Sequence, residues 1–197
     1  MLFPDAPSHA SRRRAWITRL GAACLALALV TAPATTRAQE AQSLEYQVKA
    51  AFLYNFAKFV DWPPTAFPAP ETPITIGILG DDPFGGWLDA MVRDKRIDRR
   101  RIVVKRLTRP AEATQCHLLF ISNSEKTQLG LILAGLKRAS VLTVTEVEPG
   151  AAVAGIINFT TVGSKIRFEV NEPAATRAHL QISSKLLRLA LNPITHT

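Results

Sequence analysis

The chain has 197 residues, 24 Lys and Arg against 16 Asp and Glu, and a formal net charge of +8. That length predicts a single domain. Two cysteines, Cys24 and Cys116, are too few for a disulfide-stapled scaffold.

Residues 1–38 read as a cleavable signal peptide. Arg12, Arg13, Arg14 and Arg19 precede the apolar run Leu20 to Ala32, Pro33 breaks that run, and Thr36-Arg37-Ala38 offers small residues at a cut. The run has 13 residues, short of the ~20 that span a bilayer. Ser11-Arg12-Arg13 with Trp16 and Ile17 hints at the twin-arginine route. Export predicts a periplasmic chain starting near Gln39, with 19 basic and 15 acidic side chains and Cys116 as its one cysteine. An intrachain disulfide is then excluded. No later stretch approaches membrane length, so no membrane insertion is expected of the mature chain.

After a lead-in over 39–43, the periodicity predicts a helix from Leu44 to Val60. One apolar face holds Val48, Ala51, Phe52, Asn55 and Phe59; a second strip holds Tyr46, Leu53, Ala57 and Val60. Glu45 and Lys49 are spaced to pair at i, i+4. Trp62-Pro63-Pro64 stops the helix, and a proline-rich connector reaches Pro73. Strands are predicted over Ile74–Leu79, Ile102–Leu107, His117–Ile121 and Val141–Thr145, with helices from Phe84 to Met91 and from Ser124 to Arg138. Ser122 or Ser124 would cap the second of these. Ala154–Phe159 and Lys165–Val170 read as a hairpin whose second arm alternates strictly. Asn171 would cap one long final helix with the stripe Ala175, Ala178, Ile182, Leu186 and Leu189. This order predicts an α/β layered domain over 44–191, Rossmann-like, with a mostly parallel sheet and a C-terminal hairpin and helix. Residues 192–197 form a tail.

No Cys/His/carboxylate cluster has metal spacing, and no catalytic motif is present. The reading is therefore of a non-enzyme without cofactor or metal, and without a nucleic-acid partner. Three constellations remain. Arg93 to Arg109 holds nine Lys/Arg and two Asp, suited to an acidic partner, an anionic lipid surface or a phosphate. Lys165, Arg167, Arg177 and His179 could form an anion site beside the start of the final helix. The strip Tyr46, Leu53, Ala57 and Val60 could be an interface, because a helix apolar on most sides needs cover on most sides.

Several segments carry a resemblance. They are VKAAFLYNFAKFVDWP (48–63), ITIGILGDDPF (74–84), CHLLFIS (116–122), VLTVT (141–145), GIINF (155–159), KIRFEVN (165–171) and ISSKLLRLA (182–190). In this order they resemble the YfiR family of periplasmic proteins over about 44–191. The resemblance implies a homodimeric regulator that represses an inner-membrane diguanylate cyclase (a GGDEF protein) by binding its periplasmic sensor part. That control would govern cyclic di-GMP and biofilm formation. It also implies redox control by disulfides in the best-understood member, which a lone Cys116 cannot reproduce within one chain. The alternative reading is a periplasmic binder of a small anionic or nucleotide-like ligand.

Overall fold

The computed structural model describes residues 34–191. The expected signal peptide falls outside the described residues except for the backbone of 34–38, and the tail lies outside them entirely. The chain divides at Ala41/Gln42, and among the described residues every strand lies in the second unit.

Helix α1 runs Ala34–Lys58, so it starts ten residues before the predicted Leu44. Its buried face is Ala50, Leu53, Phe56 and Ala57, followed by Val60 just beyond its end. The strip read as an interface is thus core. Leu53 and Ala57 are fully buried and Val60 nearly so, while Tyr46 packs half-buried against the same cluster. Of the other strip, Val48 is 40% exposed while Phe52 and Phe59 pack part-buried against the same cluster; Leu44, nearer the start of the helix, is 61% exposed.

The main sheet has seven strands. β2 (Ile74–Leu79), β4 (Arg100–Leu107), β5 (Leu118–Ile121), β6 (Leu142–Thr145) and β7 (Ile157–Val162) are mutually parallel. The short β3 (Arg96–Ile97) and β8 (Lys165–Val170) add antiparallel edges. The spatial order is β3-β4-β2-β5-β6-β7-β8. Counted along the chain, its five parallel strands lie in the order 2-1-3-4-5, a doubly wound arrangement with the first strand between the second and third. The expected α/β class with a mostly parallel sheet therefore holds.

β2, β5 and β6 are buried along their whole length, as continuous apolar runs in a covered parallel sheet require. Strand alternation splits them between two cores. Ile76, Ile78, Leu118, Phe120, Leu142 and Val144 face α1 and α2 (Gly86–Val92). Leu79, Leu119, Ile121 and Val141 face α3 (Leu129–Leu136). Cys116 belongs to this second core. Burial pushes its thiol up to about 11, so it stays protonated at neutral pH. A Cβ on Gly77 would lie 2.6 Å from its sulfur, which is why β2 carries glycine there.

α3 is shorter than predicted. A 3-10 turn over Asn123–Glu125 precedes it, and neither Ser122 nor Ser124 caps it. The long final helix is also corrected. Asn171 caps α4 (Glu172–Arg177) as expected, its side chain accepting from the Ala174 amide at 2.9 Å. The helix then ends. The amide of His179 donates to the Thr176 carbonyl and that of Leu180 to the Ala175 carbonyl, with His179 at φ 58°. This is a Schellman ending with histidine where glycine is usual. β9 (Gln181–Ile182) then pairs antiparallel with β1 (Val60–Asp61), and Ser183 caps α5 (Ser184–Leu187).

Candidate functional site

The crevice outside the carboxyl ends of β2 and β5 is where a sheet of this order normally holds a ligand. Here side chains fill it. Ser124 Oγ accepts the Asp81 amide at 3.0 Å. Gly80, at φ 86°, faces the Ser124 hydroxyl and Glu125 so closely that any Cβ would clash with both. Beside it Arg106 donates to Asp82 at 2.9 Å and to Asp89 at 2.5 Å, and to the Gly85 carbonyl at 2.9 Å. The hydrogen bond from Arg106 holds the Asp89 carboxyl below the usual carboxylate range. This network ties α2 to the end of β4.

At the opposite end of the sheet His117 lines a cavity of about 580 Å3 with Thr75, Lys105 and Cys116. Its Nδ1 accepts the Thr75 amide at 3.1 Å, so Nε2 carries the proton and donates to the Ala66 carbonyl at 3.1 Å. Phe67 stacks on the ring at 4.6 Å, and Trp62 Nε1 donates to the His117 carbonyl. Burial lowers the imidazole pKa, helped by the nearby Arg100 charge. His117 is a neutral anchor for the proline-rich connector.

A larger concavity lies elsewhere. A cleft of about 720 Å3 separates α3 from α4, with the 150–154 segment as its third wall and Val141, Thr143 and Ile156 as its floor. Three parts of the chain far apart in sequence meet there. Gly155 permits this, because a Cβ at that position would lie 2.8 Å from the Thr143 carbonyl oxygen. The lining is mostly Gly, Ala, Leu and Val, and it contains no Asp, Glu, His or Cys. Its smaller polar groups are already engaged: Thr143 Oγ accepts the Ile156 amide and Asn171 caps α4. Lys137, at the end of α3, and Arg177, in the last turn of α4, also line the cleft. Neither makes a hydrogen bond or ion pair with a side chain among the described residues. Each offsets the negative end of its helix dipole. Together they give an apolar cleft a cationic rim, suited to an amphipathic anion.

The four residues read as an anion site are divided. Arg177 lines this cleft. His179 is exposed and its backbone ends α4, so both lie at that helix's C-terminal end and not near its N-terminus. Lys165 and Arg167 are exposed on β8. Lys165 stands at the hairpin tip, five residues from the end of β8, about 17 Å of strand. No hydrogen bond among the described residues joins the two pairs. Sequence reasoning missed Lys137 and the 150–154 wall, since nothing local marks a cleft assembled from distant segments.

Among the described residues no group of three or more His, Cys, Asp or Glu could hold a metal ion, and no helix is long and apolar enough to cross a membrane. A family model described as YfiR/HmsC-like matches residues 46–191. No curated protein matches the chain.

Proposed function

The chain belongs to the YfiR/HmsC-like family, and from that membership we propose that it is a periplasmic regulator of cyclic di-GMP signalling. In this reading residues 1–38 direct export, and the domain binds the periplasmic sensor part of an inner-membrane diguanylate cyclase. The bound regulator favours the inactive arrangement of the cyclase, and the population shift appears across the membrane as less product. The observation that carries the reading is the extent of the match, which spans all the strands and helices of the domain except the start of α1. A family of regulators rather than enzymes also fits a cleft whose lining offers no acid–base pair.

Deleting the gene should raise cellular cyclic di-GMP and surface attachment. Supplying the whole chain should reverse both, and supplying a form without residues 1–38 should not. Unchanged cyclic di-GMP in the deletion strain would count against the reading. The homodimer implied by the resemblance uses surface other than Leu53, Ala57 and Val60, which the core occupies.

A second reading, of a small-ligand binder, is favoured by the cleft between α3 and α4. It would take a molecule with an apolar body and one anionic group, and such binding could be the signal a regulator reads. Calorimetry with medium-chain carboxylates should show saturable binding that weakens about tenfold in Arg177→Gln, the loss of one charge-assisted contact of ~1.5 kcal/mol. Equal affinity in wild type and variant would remove Arg177 from the site.

A further inference from the structure

The basic run 93–109 has a structure that the regulator reading does not use. Three of its nine cations are tied to oxygen acceptors outside the run, and Arg96 donates to the Arg99 carbonyl within it at 3.0 Å. Arg106 bridges Asp82 and Asp89, Arg109 pairs with Glu112, and Arg100 donates to the Ala69 and Thr72 carbonyls while lying over the Phe67 ring. Lys95 sits 4.6 Å from the Tyr54 ring centroid.

Arg96, Arg99, Arg101 and Lys105 are different. All four are exposed, and none pairs with a carboxylate among the described residues. Arg96 and Arg101 stand directly opposite each other across the β3–β4 ladder. Like charges at such a position repel. Strand alternation puts Lys105 on the same face as Arg101. Arg99 sits at the tip, where Asp98 and Arg99 form the two-residue turn at φ 48° and 70°. The sheet therefore ends in a hairpin with four unneutralised cations on one face and at one tip.

From this we infer that the β3–β4 hairpin is a peripheral docking surface for an anionic phospholipid bilayer. A protein partner of standard kind binds through a few desolvated aromatic or aliphatic anchors. The hairpin offers none, because its apolar Ile97 and Ile102 are buried in the core. A discrete phosphate site needs donors converging into a concavity; only Lys105 lines one, a cavity of about 580 Å3 beside Thr75 and His117, whereas Arg96, Arg99 and Arg101 project from an edge and a turn. A planar field of headgroups demands no convergence. It rewards exposed, long, hydrated cations additively and neutralises the Arg96–Arg101 repulsion. Such an attraction is screened by salt. Charged residues also keep a sheet edge from pairing with other edges, and that simpler role predicts no affinity for lipid.

The inference is independent of any protein partner, so its test uses vesicles without protein and its failure leaves the regulator reading intact. The full chain is floated with phosphatidylglycerol–phosphatidylcholine vesicles and with phosphatidylcholine vesicles, beside the variant Arg96→Glu/Arg101→Glu. Comparing the two proteins removes the contribution of the N-terminal segment, which they share. On anionic vesicles the variant should partition at least about tenfold less than wild type. On neutral vesicles the two should be equal, and added salt should erase the difference. Near-ultraviolet circular dichroism checks the fold. If charge reversal disturbs it, Arg99→Gln/Lys105→Gln is read in its place. Equal partitioning of folded wild type and variant on anionic vesicles overturns the proposal. So does a wild type that prefers immobilised polyglutamate to anionic vesicles at the same ionic strength, since that result would make the occupant an acidic protein.

Discussion

Leu53→Glu is expected to unfold the domain rather than to separate an assembly. Leu53 is fully buried among Ala50, Phe56 and Ala57 of its own helix and the α1-facing residues of the sheet. Burying a leucine contributes about 1.5–3 kcal/mol. A carboxylate in its place loses that and adds an unpaired buried charge, several kcal/mol more. The sum is a large share of the roughly 5–15 kcal/mol that holds a domain together. Circular dichroism should show loss of the cooperative thermal transition. A variant melting cooperatively near the wild-type temperature would show that α1 can turn a different face to the sheet.

The reason lies in a choice that periodicity cannot make. Two strips of α1 are apolar, and a 3.6-residue repeat identifies both without saying which faces inward. The sheet decides. Phe52 and Phe56 stack on each other and both meet Phe159 and Phe168 of the β7–β8 hairpin, and that contact turns Leu53 and Ala57 down and Val48 out. The strands were legible because β2, β5 and β6 are covered on both faces and so read as continuous apolar runs. The end of α4 was not legible. Its stop is a left-handed His179, a residue that carries no general stop signal, whereas glycine would have. With the helix ending there, Arg177 and His179 stand at its C-terminal end, apart from Lys165 and Arg167 on β8. The cleft that Arg177 does line depends on Lys137 and on the 150–154 segment, neither of which is near it in sequence.

Lys49→Met is expected to cost about 3 kcal/mol and to loosen the wall of that cleft. The sequence shows only the Glu45–Lys49 spacing, which on an exposed helix contributes a few tenths of a kcal/mol. In the fold Lys49 is 5% exposed. Its Nζ lies 2.5 Å from Glu45 and 2.7 Å from Glu146, and 4.5 Å from the Tyr46 ring centroid. Tyr46 also donates to Glu146 at 3.1 Å. Burial raises the Tyr46 phenol well above its ordinary range, with the Glu146 charge adding to the effect. Removing the ammonium leaves Glu146, whose side chain is 12% exposed, as a charge with only the phenol to hold it. Glu45, at 37% exposure, remains hydrated and contributes little. The partner change Glu146→Gln should therefore rescue Lys49→Met, giving a coupling of more than about 1 kcal/mol in a double-mutant cycle read by urea unfolding. Additive losses would show that the three groups act separately. Glu146 follows β6 directly and opens the connection that runs on to 150–154. So Lys49→Met should also speed amide exchange over 147–154 before the sheet itself opens. Unchanged exchange there, together with the expected loss of stability, would confine the ion network to holding α1 and would separate it from the cleft.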